Sequence, residues 1–430
     1  MEKLYTTKNK KIFAAIAAVM AFILVLTLLV ARGGVDGDLP IVSSSEGINE
    51  YGRLGDGTTT TRSNPVSRMG NVVASNRVER ALSTISTGLV HTMAIRSDGS
   101  LWGWGANEFG ELGDGTTTDH HTPVRIMDDV VAVSAGLVHT MAIRSDGSLW
   151  GWGVNEFGEL GDGTTTDRHT PVMIMGNVVA VSAGFAHTMA IRSDGSLWGW
   201  GLNEFGQLGD GTTTDRHTPV MIMDDVVAVS AGSSHTMAIR SDGSLWGWGV
   251  NEFAELGDGT TTDRHTPVMI MDVVVAVSAG SSHTMAIRSD GSLWGWGNNR
   301  EGQLGDGTTT TMGRLNPFRI MGDVVAVSAG FGYTMAIRYD GSLWAWGHNW
   351  EGQLGDGTTT RLLNPVRVMN DVVAVSAGFW HTMAIRSDGS LWGWGTNREG
   401  QLGDGTTTDR YTPVRIMDDI MLPIATNITP

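Results

Sequence analysis

The chain of 430 residues contains no cysteine. That absence removes disulfides, thiolate metal sites and a cysteine nucleophile, and leaves the redox compartment open. Lysine is nearly missing too: all four, Lys3, Lys8, Lys10 and Lys11, stand before residue 12. Beyond Arg32, 24 arginines face 44 acids. A body this acidic repels phosphate backbones and anionic headgroups, so nucleic acid is not an expected partner. Proline is sparse at 11 residues while glycine reaches 59, the balance of a turn-rich folded chain rather than a proline-rich linker. After residue 31 no segment of useful length carries a helical period, which excludes solenoids built on helices.

Long hydrophobic runs are equally scarce, with one exception. Residues 12–31, IFAAIAAVMAFILVLTLLVA, hold no charge over twenty positions, enough at about 1.5 Å per residue to span a hydrocarbon core of about 30 Å. The lysines precede the run, and acids begin at Asp36 and Asp38. That asymmetry predicts a basic cytoplasmic segment at 1–11, a transmembrane helix at 12–31 and everything beyond it outside the membrane. A cleaved secretory signal is the rival, although its apolar region is usually shorter. Either reading exports the remainder.

What the chain has in abundance is repetition. HTMAIRSDGSLWGWG starts at His91 and returns at His139, His187, His235, His283 and His381, with a seventh version opening at Tyr333. These copies hold fourteen of the sixteen tryptophans: Trp102, Trp104, Trp150, Trp152, Trp198, Trp200, Trp246, Trp248, Trp294, Trp296, Trp344, Trp346, Trp392 and Trp394. A fixed period of about 48 residues means stacked supersecondary units.

In the copy from Pro123 to Gly153, residues 124–127 and 130–134 read as strands joined by the tight Asp128-Asp129 turn. Residues 139–144 and 148–153 add two more strands through a Ser-Asp-Gly hairpin. Four short antiparallel strands repeated seven times predict an all-β, seven-bladed β-propeller. Period-two alternation sets Trp150 and Trp152 on one face, with Leu149, Gly151 and Gly153 on the other. The indoles are therefore expected to lodge against bare backbone of the neighbouring blade. Residues 154–170 lack a strand pattern and are expected to carry the chain from one blade to the next.

The motif Gly-x-x-His-Thr-x-Ala, then Asp-Gly, then Leu-Trp-Gly-Trp-Gly-x-Asn, closing on Leu-Gly-Asp-Gly-Thr, resembles the regulator of chromosome condensation repeat family over about residues 47–420. The resemblance implies a seven-bladed propeller, and the Gly-Asp-Gly-Thr-Thr-Thr-Asp-Arg tail is similar to exported bacterial members. Residues 32–64 are read as a linker and an incomplete N-terminal repeat, since Gly47 to Gly57 carries no Trp-Gly-Trp, and 65–425 as the propeller. The insertion SNRVERALS at 75–83 interrupts the first blade, and residues 413–424 offer a spare pair of strands. With IVSSS near residue 41, that pair allows an incomplete eighth blade as an alternative. The family's guanine-nucleotide exchange activity is not carried over, because no matching exchange motif is visible and the anchor places the propeller outside. Exported relatives that inhibit β-lactamases through one face make an inhibitor one concrete version of the function.

Several features invite chemistry. One histidine per blade suggests a metal, but seven ligands in a ring are too dispersed for one ion, and His139 shares its strand face with Met141 and Ile143, the setting of a hydrogen-bonded structural imidazole. Eight Leu-Gly-Asp-Gly turns, at Asp56, Asp114, Asp162, Asp210, Asp258, Asp306, Asp356 and Asp404, suggest calcium, but lack the clustered acids of a dedicated site. His121, His169, His217 and His265 lie in a segment read as a solvated turn. No catalytic constellation stands out, so the expectation is neither an enzyme nor a cofactor or metal protein.

The copies differ at few positions. Between Ala-Gly and His-Thr they carry Leu89-Val90, Leu137-Val138, Phe185-Ala186, Ser233-Ser234, Ser281-Ser282, Phe331-Gly332 and Phe379-Trp380; after Trp-Gly they carry Ala106, Val154, Leu202, Val250, Asn298, His348 and Thr396. Strand alternation brings both sets to one end of the disc. There Phe185, Phe331, His348, Trp350, Phe379 and Trp380, with Leu89, Leu137 and Leu202, form either a partner-binding face or a plug in the central channel. The expected partner is a protein or cell-surface polymer outside the membrane. A structural envelope protein is the alternative.

Overall fold

The computed structural model describes residues 83–423, within the compact unit that spans 76–430. The transmembrane expectation at 12–31, the partial repeat at 47–57 and IVSSS near residue 41 lie outside the described residues. Among the described residues, no helix is long and apolar enough to cross a membrane.

The described chain forms seven antiparallel sheets of four strands, and in every sheet the strands neighbour one another in chain order. Blade 1 comprises Ile85–Thr87, His91–Ile95, Leu101–Gly105 and His120–Met127; blade 2 comprises Val130–Ala135, His139–Arg144, Leu149–Gly153 and Arg168–Met175. Blades 3 to 7 repeat this plan and begin at Val178, Val226, Val274, Val324 and Val372. The fold is the seven-bladed propeller that the period predicts.

The division of the repeat into blades differs from the sequence reading. Residues 124–127 and 130–134 do not share a sheet: the first belongs to the outer strand of blade 1, the second to the inner strand of blade 2. The Asp128-Asp129 turn, with Asp129 at φ 60°, is the link between blades. Residues 154–170 instead bridge the third and fourth strands of one blade, where Gly153 pairs with Arg168 and Trp150 with Met173. A perfect repeat fixes the order of strands but not the point at which one sheet ends. Both divisions satisfy the same period and the same alternation.

The second strand of each blade, His139 to Ile143 in blade 2, is buried along its whole length. It is central in its own sheet and covered by neighbouring blades on both faces, so apolar residues run through it without alternation. The inner strands join around the axis through a serine ring. Ser86 Oγ accepts from Ala135 N at 2.8 Å, the contact recurs at each junction, and Ser376 Oγ closes it on Thr87 N at 3.1 Å.

Two segments far apart in the chain share the inner strand of blade 1. Ile85–Thr87 supplies its second half. Its start is supplied from the C-terminus, where Ile420 bridges Arg96, Ser97 N donates to Asp419 O at 2.7 Å and Met421 N donates to Ile95 O at 2.9 Å. Ser145 N makes the corresponding bond to Asp129 O in blade 2. The described residues of 413–424 therefore do not seed an eighth blade: Pro413 lies in the outer strand of blade 7, and residues 418–423 strap that blade to blade 1.

The tryptophans divide into two kinds. Trp104, Trp152, Trp200, Trp248, Trp296, Trp346 and Trp394 are fully buried, whereas Trp102, Trp150, Trp198, Trp246, Trp294, Trp344 and Trp392 are half-buried and donate to a serine two residues earlier, as Trp150 Nε1 does to Ser148 Oγ at 2.9 Å. The buried indole packs on glycine, but not on the strand glycine expected. A Cβ on Gly151 would meet Met141 Sδ in its own sheet at 2.9 Å, while Trp152 lies over Gly113, in the Leu-Gly-Asp-Gly turn of the preceding blade, where a Cβ would stand 2.7 Å from the ring.

That turn acts as a clasp. Glu111 O accepts from Trp152 Nε1 at 2.9 Å and from Thr140 Oγ1 at 2.9 Å, both in blade 2. The same geometry closes the ring, with Gln401 O of blade 7 accepting from Trp104 Nε1 and Thr92 Oγ1 of blade 1.

Candidate interaction face

The clasp loop is organised by an asparagine that the sequence reading passed over. Asn155 is fully buried; its Nδ2 donates to Asp162 Oδ1, Thr164 O and Thr166 O at 3.0 to 3.2 Å, and its Oδ1 accepts from Leu160 N at 2.9 Å. Its recurrence in every copy was the available signal. Asp162 is committed to the same loop, receiving Thr164 N at 2.9 Å and the Arg168 guanidinium at 2.6 Å. Burial alone would raise its pKa, but those bonds hold the carboxyl below the usual range. Protein donors thus occupy the oxygens that a calcium ion would need. Among the described residues no group of three or more His, Asp or Glu is placed to hold a metal ion.

The recurrent histidines lie inside the disc and link blades. His139 Nε2 lies 3.1 Å from Thr188 Oγ1 of blade 3, and Thr188 Oγ1 donates to Glu159 O at 2.8 Å. The threonine's one proton is used there, so Nε2 carries the imidazole proton and Thr188 accepts it. The ring of contacts closes from His381 of blade 7 to Thr92 of blade 1 at 2.8 Å. Tyr333 fills the one substituted position, donating its hydroxyl to His381 O at 2.8 Å. Burial pushes the pKa of His139 down to about 3 and that of His91 to about 4, so the rings are neutral at physiological pH. His121, His169, His217 and His265 occupy outer strands rather than a turn. His169 covers Gly110 of the preceding blade, where a Cβ would meet its ring at 2.5 Å.

Both variable sets emerge at one end, as the alternation predicts. Val154 N donates to Val138 O at 3.0 Å, His348 N to Gly332 O at 2.9 Å and Thr396 N to Trp380 O at 2.9 Å. The interblade and Ser-Asp-Gly turns meet at the other end, where Val178 N donates to Gly147 O at 2.9 Å.

Within that face the aromatic residues do two different things. Leu137, Phe185, Phe331 and Phe379 line a central channel of about 120 Å³. Phe185 of blade 3 meets Phe379 of blade 7 across the axis at 5.9 Å, and Phe331 stacks on Phe379 at 5.3 Å. Phe331 is only 8% exposed, contrary to the expectation of an exposed anchor, because the inner strands converge enough for rings on different blades to touch. These three phenylalanines cap the channel. Leu137 is buried, and Leu89 and Leu202 are half-buried.

From the cap an aromatic path leads outward. Phe331 touches Trp380 at 4.8 Å, Trp380 meets His348 at 5.7 Å and His348 meets Trp350 at 4.7 Å. His348 is buried, while Trp350 is 56% exposed. Ion pairs flank this path: Arg398 with Glu351 at 2.7 Å, and Arg361 with Glu301 at 3.6 Å. At the position of Trp350 the first four blades carry Glu108, Glu156, Glu204 and Glu252, and blades 5 and 7 carry Arg300 and Arg398. This one position is thus Glu throughout blades 1 to 4 and Arg or Trp in blades 5 to 7.

Comparison with known proteins agrees with this architecture. The Arabidopsis thaliana ultraviolet-B receptor UVR8 is 51% identical over 45 residues, 10% of this chain and 10% of that protein. Ras guanine nucleotide exchange factor C of Dictyostelium discoideum is 44% identical over 48 residues, 11% of this chain and 3% of that protein. The chain thus spans a tenth or less of the length of the curated relatives it matches. Among solved structures, yeast Prp20p from Saccharomyces cerevisiae superposes with a TM-score of 0.68 at 21% identity, covering 82% of this chain and 91% of its own. Human WBSCR16 gives 0.67 at 22% identity, covering 74% and 94%. At these identities the likeness concerns the fold. The family model of the RCC1-like domain matches residues 43–273 and 223–426, and with its seven clasped blades the chain belongs to the RCC1-like domain family.

Proposed function

We propose that this propeller is a binding module that engages a protein or surface polymer through the end carrying the variable positions, with blades 5 to 7 at its centre. One observation carries the reading: at the end where the loop pairs and the residues after Trp-Gly differ between copies, the Trp380–His348–Trp350 path reaches solvent. Large aromatics beside ion pairs are the composition of interface anchors. Prp20p is described as binding Gsp1p and histones, which supports the use of such a propeller as a protein-binding platform. The acidic body, net −16 over the chain, argues against nucleic acid as the partner.

Residues 12–31 serve in this proposal as a single-pass anchor with the N-terminus cytoplasmic and the propeller outside, on the strength of the uncharged run and the lysines before it. A reporter fused after residue 430 is active on the outer side if this holds. A cytoplasmic reporter ends the export reading and reopens the exchange-factor alternative.

The binding reading is tested by capture from envelope extracts with wild type and a Trp350→Ala, Trp380→Ser double variant. Discrete partners retained by wild type and lost by the variant, at unchanged melting temperature, are expected. A second reading, a structural envelope protein, is favoured by the identical outer strands RHTPVMIM at 168–175, 216–223 and 264–271. No retained partner in either sample supports it.

A further inference from the structure

Methionine occurs in this fold in two opposite settings. Met141, Met189, Met237 and Met285, in the second strands of blades 2 to 5, have no exposure, and a Cβ on the facing Gly151 would stand 2.9 Å from Met141 Sδ. The sulfur is pressed against backbone, which leaves no room for an added oxygen. Met173, Met221 and Met269, in the outer strands of blades 2, 3 and 4, are 57%, 49% and 50% exposed. These side chains reach solvent on the rim of the disc.

Each of the three is the cross-strand partner of a half-buried tryptophan: Trp150 pairs with Met173, Trp198 with Met221 and Trp246 with Met269. Directly paired residues share a sheet face with their Cβ atoms about 5 Å apart, so the thioether flanks the indole. The fold does not require sulfur there. In blades 1, 5, 6 and 7 the partners of Trp102, Trp294, Trp344 and Trp392 are Arg125, Arg319, Arg367 and Arg415. Four blades thus already hold a strongly polar group at this position, and a sulfoxide, polar but uncharged, takes the place of the thioether without disturbing the core.

We propose that Met173, Met221 and Met269 are sacrificial modification sites, converted to methionine sulfoxide by electrophilic oxidants of the hypochlorous acid class and thereby sparing the indoles beside them. The chain has no cysteine, so thioethers are its only sulfur nucleophiles, and unlike a thiol they need no deprotonation to react. The sulfur gives up two electrons. In the net reaction the oxygen of HOCl becomes the sulfoxide oxygen, its O–Cl and O–H bonds break, and chloride and a proton leave. Sulfoxide is reversible by methionine sulfoxide reductases, whereas an oxidised indole is not restored.

The test treats the purified full chain with graded doses of HOCl and maps the products by tryptic mass spectrometry. Peptides 169–192, 217–240 and 265–288 differ in sequence, and each carries one rim and one buried methionine: Met173 with Met189, Met221 with Met237, Met269 with Met285. Fragment ions separate the two, so each peptide holds its own control. Expected is sulfoxide at the rim position at about tenfold lower dose than at the buried one, since susceptibility follows exposure, with an unchanged melting temperature. In a Met173→Leu, Met221→Leu, Met269→Leu variant, which conserves volume, oxidation of Trp150, Trp198 and Trp246 rises about threefold at equal dose, while Trp102, Trp294, Trp344 and Trp392 stay as in wild type. Arginine at the same three positions, as in the other four blades, gives a second form of the comparison. Rim and buried methionines oxidised together, or a melting temperature that falls as the rim is oxidised, overturn the site assignment. Indole oxidation unchanged in both variants, or raised equally at all seven half-buried indoles, overturns the protective role.

Discussion

Replacing Glu159 with glutamine changes the stability of the propeller little near pH 4.5 and raises it progressively as pH climbs toward 8. The second carboxyl-or-amide residue of each clasp loop is Glu111, Glu159 or Glu255 in blades 1, 2 and 4, and Gln207, Gln303, Gln353 or Gln401 in the other four. All seven are buried. Glu159 accepts from Phe157 N at 2.9 Å, and Gln207 Oε1 accepts from Phe205 N at 2.9 Å in the same way, so the amide fits the site. Burial pushes the Glu159 pKa up to about 8; its backbone hydrogen bonds oppose that, and the charges of Asp167 and Glu156 add to it.

With the folded pKa raised above the unfolded value, the folded state holds a proton that the unfolded chain releases above about pH 4.5. Stability is therefore highest at low pH and falls as pH rises toward 8, by about 1.4 kcal/mol per unit for one site. Between pH 6 and pH 8 this amounts to about 2.3 kcal/mol, the slope flattening as the folded group itself titrates, and at about 2.1 cal/mol/K per residue of unfolding entropy it moves the melting temperature of this large domain by about 3 °C. Glutamine abolishes that slope. Differential scanning calorimetry of wild type and Glu159→Gln from pH 6 to pH 8.5 gives curves that diverge as pH rises. Parallel curves, or a variant less stable than wild type at pH 8.5, refute the account of a clasp weakened by a buried carboxylate. Glu111 and Glu255 lie at other junctions, so a triple variant gains nearly the sum.

Other expectations follow from the same junctions. Gly113→Ala destabilises by about 3 kcal/mol, because Gly113 has φ +81° and an added Cβ meets the Trp152 ring at 2.7 Å; urea unfolding followed by tryptophan fluorescence measures it, and an unchanged midpoint argues against the clasp. Ile420→Ala costs about 3 kcal/mol by emptying a fully packed site in the closing strap, and hydrogen exchange should quicken first at the Ser97 amide, which donates to Asp419 O. Acid unfolding is steep below pH 6.5. The neutral imidazoles of His91, His139, His187, His235, His283 and His381 have folded pKa values lowered to about 3 or 4, so the stability they confer is present above pH 6.5 and lost as pH falls toward those values. His139→Phe flattens that limb in a pH titration of circular dichroism, and an unaltered limb counts against a protonation-sensitive ring.

Much of the fold was legible because the chain repeats itself. His139 through Gly153 recurs at a fixed interval with strand alternation and a Ser-Asp-Gly turn, and elementary sterics turn that pattern into short antiparallel strands whose radial stacking closes a disc. The face on which variable residues appear was legible as well, since it needs only the alternation of strand direction. The clasp was not. That Gly113 rather than Gly151 receives Trp152, and that Glu111 O holds both Trp152 and Thr140, are contacts between residues 29 to 41 apart that no local pattern encodes.

The amino-acid sequence by itself determined the class, the number of blades and the end at which the loop pairs vary, because periodicity and side-chain alternation are properties of order along a chain. Only the tertiary structure decided where one blade ends, how Ile420 completes a strand begun by Ile85, and which aromatics cap the channel and which reach solvent. Phe379 and Trp380 are adjacent in sequence, yet one packs across the axis on Phe185 and the other leads outward to His348. Their fates part because closing seven sheets around one axis sets the distances between residues of different blades, and a one-dimensional period carries no information about those distances.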